Sequence, residues 1–233
     1  MWNQTNQDFE IIKVEEKGEL AKLRNEGAKR AKGEILCFID DDVVCDKGWY
    51  EAIVKAFNKD STTGGVSGPA YISKEYRANR DIFKLRILHE LFTGMSNLPG
   101  HISRAGAWTT GACEESCNYE GEVQFLEACN MVFRSDVFYN LSGFDTNYKG
   151  IGDWSEPDLS FRIRRAGYQL WFSRDARLEH RPSKSGAFKK RSADSWNRKA
   201  NYELFSNRWI KPCWQHSFYK WMISKYYEYK AIK

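Results

Sequence analysis

No run in this chain is apolar for long enough to cross a bilayer, and its opening residues, Met1-Trp2-Asn3-Gln4, have neither the basic nor the apolar part of a secretory signal. The expected location is therefore the cytoplasm. A disulfide framework is missing too, because six cysteines scattered irregularly through 233 residues do not form one. Cys37 and Cys129 lie in apolar stretches, where a reduced thiol packs as a small hydrophobe. The one close pair, Cys113 and Cys117, lacks the further Cys or His neighbours that a zinc site needs.

Nor does one sign of charge dominate. The formal net charge is +5, and much of the excess sits late in the chain, at Lys184, Lys189, Lys190, Arg191, Arg198 and Lys199. Tryptophans and tyrosines alternate with lysines from there to the end, without any nucleic-acid-binding motif. Nucleic acid is therefore not an expected partner. Two readings of this tail stand: a helical appendage packed on the core, or an aromatic, basic surface suited to the inner face of an anionic membrane. The length supports one core domain over 1–182 and a basic aromatic appendage over 183–233.

What is present centres on Ile35-Leu36-Cys37-Phe38-Ile39, an apolar run that ends in Asp40-Asp41-Asp42. It reads as a buried strand delivering carboxylates to the edge where α/β sheets collect their ligands. Three adjacent carboxylates are either a solvated turn or the oxygen donors of a divalent cation. Before them, Phe9–Val14 reads as a strand, and Leu20, Leu23, Gly27 and Ala31 as a helical stripe with Gly33 as its stop. Strand, helix, strand implies a parallel pair. After them come a helix with Trp49, Ala52, Ile53, Ala56 and Phe57 on one face, and a strand over Gly64–Ile72. A mixed helical stretch with Ile82, Leu85, Leu88 and Leu91 follows, and then a second apolar strand over Val123–Arg134, after which Ser135 is an N-cap candidate.

A second acidic cluster occupies Gly150-Ile151-Gly152-Asp153-Trp154-Ser155-Glu156-Pro157-Asp158. Ser155 can cap a helix beginning at Glu156, with Asp158 reaching back in a capping box and Arg162 four residues on to pair with it. That assignment leaves Glu156 as the free carboxylate, with Asp153 as its competitor. Leu159, Ile163 and Ala166 form the buried stripe of this helix, and Gly167 stops it. Closing strands follow over Tyr168–Phe172 and Ala176–His180.

Taken in order, Asp40-Asp41-Asp42, the Phe125–Arg134 stretch with Asn130, Gly143-Phe144-Asp145, and Glu156-Pro157-Asp158-Leu159 with Arg162, Gly167 and Tyr168 resemble a family 2 glycosyltransferase of the GT-A fold, over about residues 9 to 181. The resemblance implies an α/β fold, a Rossmann-like and mostly parallel central sheet flanked by helices. It implies inverting, metal-dependent transfer of a sugar from a nucleotide-diphosphate sugar to a glycan or lipid-linked hydroxyl. Asp40 and Asp42 would then hold Mn2+ or Mg2+, directly or through water, with His180 a third ligand, a diphosphate contact or a surface histidine, and Asp41 would touch the ribose or support the ligands from behind. Glu15, Arg24, Asn25 and Asn130 would line the donor side, although Asn130 reads equally as a strand-end hydrogen bonder. Glu156 would be the base, with Asp153 and Asp158 completing the catalytic acids. Relatives begin with a further strand-helix unit ahead of the counterpart of Phe9, so a shortened nucleotide pocket is expected. A second reading, a decayed glycan- or nucleotide-binding module on the same scaffold, follows from it.

Overall fold

The computed structural model describes residues 4, 8–77, 98–182 and 194–232. Its first half contains α1 (Leu20–Arg30), β1 (Ile35–Ile39), β2 (Val43–Cys45), α2 (Trp49–Lys59), β3 (Thr63–Ser67), β4 (Ala70–Tyr71) and α3 (Lys74–Arg77). The second half adds β5 (Gly121–Glu122), β6 (Asn130–Arg134), α4 (Ser135–Asn140), α5 (Ser155–Arg165), β7 (Gln169–Phe172), β8 (Leu178–His180), α6 (Ser195–Trp209) and α7 (Trp214–Ile232). The result is a mixed α/β fold, a central sheet flanked by helices.

That sheet runs in the order β1-β6-β3-β7-β5, beside a small sheet of β2-β8-β4. Only β3 and β7 are parallel in the larger one, and its other three pairs are antiparallel. The mostly parallel sheet expected from the sequence is thus corrected to a mixed one. β1 ladders antiparallel to β6, with Leu36 opposite Phe133, and the strand expected over Phe9–Val14 has no ladder, since residues 8–17 carry no regular structure. Two of their apolar side chains pack instead, Phe9 meeting Tyr50 at 6.0 Å between ring centroids and Val14 lying beside Gly27, while Ile11 is exposed.

Alternation along β6 divides the interior into two layers. Met131 and Phe133 face a core with Leu170, Phe172, Val137, Leu159 and Ile163, whereas Val132 faces Val66, Ile53, Phe57 and Trp49 on the other side. The expected stripe of α2 is its buried face, residue for residue. The stripe of α1 is shifted, with Ala21, Arg24 and Ala28 buried, because an internal carboxylate draws Arg24 inward. Helix α1 ends at Arg30 without using Gly33. Ser135 is the first helical residue of α4 rather than its cap, the cap position being Arg134. The strand expected over Gly64–Ile72 breaks into β3 and β4, and the one over Val123–Arg134 shortens to β6. The helical stretch with Ile82, Leu85, Leu88 and Leu91 lies outside the described residues. A third apolar cluster joins Tyr148 and Trp154 to Tyr202, Phe205 and Tyr219, so α6 and α7 are packed on the core.

Asn130 stitches these parts together. Fully buried, its Nδ2 donates to the carbonyls of Gly68 (3.0 Å) and Ala176 (2.8 Å), and its Oδ1 accepts from Trp49 Nε1 (3.0 Å). Gly68 is required there, because a Cβ would lie 2.0 Å from Ala176 O. Asn130→Ala strands three buried polar groups, and chemical denaturation is expected to show a loss of about 2–4 kcal/mol. A loss below about 1 kcal/mol, the worth of one ordinary hydrogen bond, would contradict the assignment.

Candidate active site

Strand β1 ends at Ile39 and releases the three aspartates into the turn before β2. The register of β2 on β8 then places Val43 opposite His180, and Arg181 N donates to Asp42 O at 2.8 Å. His180 Nε2 consequently stands 3.2 Å from Asp42 Oδ1. Asp40, Asp42 and His180 each offer one ligand atom, all within 4.8 Å of one another. Asp41 is exposed on the turn.

Two carboxylates and an imidazole suit a divalent ion such as Mn2+, and three protein donors leave positions for water or phosphate oxygens. Electrostatics point the same way. Burial pushes the Asp40 carboxyl above its ordinary range; Arg24 and His180 draw it back, while Asp42 and Asp41 push it further up. A cation relieves that crowding of negative charge. The residues present therefore fit a metal ion.

The second acidic cluster is built on an unusual loop. Gly150, Gly152 and Trp154 have φ of 63°, 69° and 77°, and for a tryptophan the left-handed region costs about 1–3 kcal/mol. Packing holds it there: the Trp154 ring lies 4.6 Å from Trp108, 4.8 Å from Phe205 and 5.1 Å from Tyr202, centroid to centroid. Trp154, not Ser155, occupies the cap position of α5 and makes no side-chain cap bond. The expected capping box is therefore absent, and Ser155 Oγ is buried without a hydrogen-bond partner.

This loop and the first turn of α5 sort the three acids by what holds them. Asp158, fully buried, accepts from Tyr148 Oη (3.2 Å), Arg208 Nη1 (2.7 Å) and Trp209 Nε1 (2.8 Å) at Oδ1. Its Oδ2 accepts from Arg162 Nε at 2.9 Å, four residues on as expected. Asp153 Oδ2 accepts from Arg198 Nε at 2.5 Å. Glu156, 7% exposed, accepts from Arg24 Nη1 at 2.6 Å. The expectation of a free Glu156 is thereby corrected, since a carboxylate this deep needs a charged partner. Burial raises its pKa above the ordinary range, Arg24 opposes the rise, and Asp153 adds to it.

The donor-side candidates separate in the same way. Arg24 is central, bonded to Glu156, stacked 5.3 Å from the Phe144 ring centroid and felt by Asp40. Asn25 is occupied on both side-chain atoms by the backbone of Phe144, donating to its O (2.8 Å) and accepting from its N (2.9 Å). Asn130 is saturated inside the sheet. Both asparagines thus have their amides engaged by the fold, and of the two readings open for Asn130 it is the hydrogen bonder at the strand end that the geometry matches. Glu15 faces solvent and meets Lys13 Nζ at 2.6 Å.

Sequence reasoning missed the contribution of α6. Besides Arg198, Arg208 and Trp209, the segment supplies Asp194, whose Oδ2 accepts from Ile151 N at 3.0 Å. Asn201 exchanges two 2.9 Å bonds with the backbone of Lys149. The only signal was charge: an arginine-bearing helix downstream of an acidic loop.

Comparison with known proteins gives three findings. The family model of Glycosyl transferase family 2 matches residues 2–109. Among curated relatives, the glucosyl-dolichyl phosphate glucuronosyltransferase of Haloferax volcanii is 24% identical over 167 residues, 68% of this chain and 46% of its own. A Caenorhabditis elegans protein named "Probable N-acetylgalactosaminyltransferase 6" is 23% identical over 223 residues, 91% of this chain and 34% of its own. The chain thus spans less than half the length of these relatives. The solved structure of GalNAc-T7 with UDP, GalNAc and Mn2+ superposes with a TM-score of 0.52 at 15% identity, covering 91% of this chain and 44% of that one. That likeness is one of fold, the GT-A architecture.

Two outcomes test the site. Asp42→Ala or His180→Ala is expected to lower Mn2+ affinity at least about tenfold by calorimetry with circular dichroism unchanged, and unaltered affinity would contradict the donor set. Asp158→Ala is expected to cost about 1–3 kcal/mol in urea denaturation, because it leaves the buried Tyr148 hydroxyl without its acceptor and unties Arg162, Arg208 and Trp209. Unchanged stability would remove Asp158 from its structural role.

Proposed function

We propose that this chain is a glycosyltransferase of family 2, whose family model matches residues 2–109, and that it transfers a sugar from a nucleotide-diphosphate donor to a hydroxyl of a glycan or lipid-linked acceptor, with inversion at the anomeric carbon. The observation that carries this reading is one cation, Arg24, bonded to buried Glu156 while its charge acts on Asp40 of the cluster Asp40, Asp42 and His180. Two acidic centres with different duties thereby share one electrostatic neighbourhood.

In this proposal Asp40, Asp42 and His180 hold Mn2+ or Mg2+, which when bound supplies positive charge against the departing diphosphate. Every remaining step belongs to side chains. Glu156 Oε2, the oxygen not bonded to Arg24, takes the proton of the acceptor hydroxyl as that oxygen attacks the anomeric carbon. Burial prepares it by raising its proton affinity, and Arg24 keeps it ionised enough to act. Asp153 and Glu156 are each held by an arginine, and Glu156 is preferred as the base because burial raises its proton affinity. Asp41, exposed beside the site, is suited to the donor ribose. A peripheral position on the inner face of a membrane accords with a lipid-linked acceptor; among the described residues no helix is long and apolar enough to cross one.

Glu156→Gln is expected to lower turnover by about 10²–10⁴-fold with donor affinity nearly unchanged, and to lower the melting temperature as well because it removes the charge that pairs with buried Arg24, while Asp153→Asn is expected to lose less turnover. The reverse order would overturn the assignment of the base. If the unaltered chain releases no nucleoside diphosphate from any nucleotide sugar, it is a retained binding scaffold. The acid limb of the pH profile gives a further check. A base must be deprotonated to act, so a raised pKa moves the loss of activity to higher pH. Arg24 opposes the rise, so Arg24→Met is expected to shift the limb higher still; an unmoved limb would sever Arg24 from the chemistry.

A further inference from the structure

Helix α7 is apolar on two opposite faces. At 3.6 residues per turn, His216, Tyr219, Ile223 and Tyr227 share one side, and Tyr219 and Tyr227 are buried against the domain, 2% and 4% exposed. About half a turn away, Trp214, Phe218, Trp221 and Tyr229 fall on a second stripe, exposed by 74%, 48%, 59% and 53%. Phe218 and Trp221 stack at 6.0 Å between centroids. A helix packed on a globular domain ordinarily turns a polar face outward. Here the outward face carries large aromatics.

Charge says what that face is built to meet. From residue 211 to the end the sequence carries five lysines against one acid, Glu228, and that acid is engaged by Lys199 (2.9 Å) and Lys225 (2.8 Å). On α6, Trp196 is likewise 60% exposed, with Lys199 Nζ 5.7 Å from its ring centroid. Aromatic rings with an apolar body, flanked by lysines on long apolar stems, match the boundary between headgroups and acyl chains of an anionic bilayer. A protein partner of opposite charge would also meet the lysines, but it would not call for indoles spaced along the whole outward stripe.

The geometry points to α7 as a membrane-docking helix that lies in the interface of an anionic leaflet, with Trp214, Phe218 and Trp221 inserted and the lysines at headgroup level. This deepens the peripheral, lipid-facing enzyme proposed above and rests on that reading for its purpose alone. Vesicle binding is read without donor, metal or turnover, so its failure and a failure of the chemistry are separable.

The full chain is mixed with phosphatidylcholine vesicles, with and without phosphatidylglycerol, and sedimented. Binding is expected only to the anionic vesicles and is expected to weaken with salt. The combined Trp214→Ser, Phe218→Ser and Trp221→Ser variant is expected to lose at least about tenfold in partitioning, with melting temperature unchanged and turnover on a soluble acceptor unchanged. Should that variant fail to fold, quenching of tryptophan emission by brominated lipid in the unaltered chain decides instead: quenching supports docking and its absence overturns it. Equal partitioning of chain and variant, or binding to neither vesicle, overturns the proposal. So does a dimer in light scattering that the variant abolishes without any vesicle binding, because the stripe then belongs to a second copy.

Discussion

A buried ion pair between Arg24 and Glu156, 2.6 Å apart and each about nine-tenths enclosed, is the interaction on which the rest depends. It joins the first helix to the fifth across 132 residues of chain. Neither charge is stable there alone, since breaking such a pair typically costs about 3–5 kcal/mol. Satisfying it rotates α1 so that an arginine, rather than the leucine stripe, faces inward. The same guanidinium packs over Phe144, and Asn25 one residue later ties down the backbone of that phenylalanine. The pair therefore fixes α1, the Gly143-Phe144 turn and α5 in one arrangement.

Partner number sets Asp158 apart from the other carboxylates of this site. Asp158 has four donors and no exposure, so it can give nothing to a substrate. Glu156 has one oxygen bonded by Arg24 and a pKa raised by burial, the condition of a group that can exchange a proton. Asp40 and Asp42 lie beside His180 with their charges crowded, the condition of a site completed by a cation. Helix α6 makes the distinction possible, because Arg198 and Arg208 absorb the charge of Asp153 and Asp158 and the strained Trp154 rests on Phe205.

Local patterns in the sequence were informative wherever one element decided the outcome. The strand ending in three aspartates, the buried face of α2 and the pairing of Asp158 with Arg162 each depend on residues within a few positions of one another. His180 was legible as a candidate through resemblance, but its place depends on the register between β2 and β8. What was not legible depends on distant partners. Phe9–Val14 alternates like a strand, yet its backbone finds no ladder. Asn25 and Asn130 look like ligand residues because they sit in motifs, and only the folded chain shows their amides spent on Phe144, Gly68, Ala176 and Trp49. Ser155 fits a cap by type, but the Trp154 turn takes that position. The role of α6 has no local signature at all, since an arginine does not announce which of several acids it will meet.

The central claim is that the strand-end acids and His180 form a metal site sharing Arg24's field with Glu156. A crystal of the protein grown with Mn2+ and a nucleoside diphosphate, examined by anomalous scattering at the manganese edge, tests it most directly. The account predicts one strong anomalous peak among Asp40, Asp42 and His180, in contact with the diphosphate. A diphosphate bound without any peak there, or a peak ligated by other residues, would contradict it.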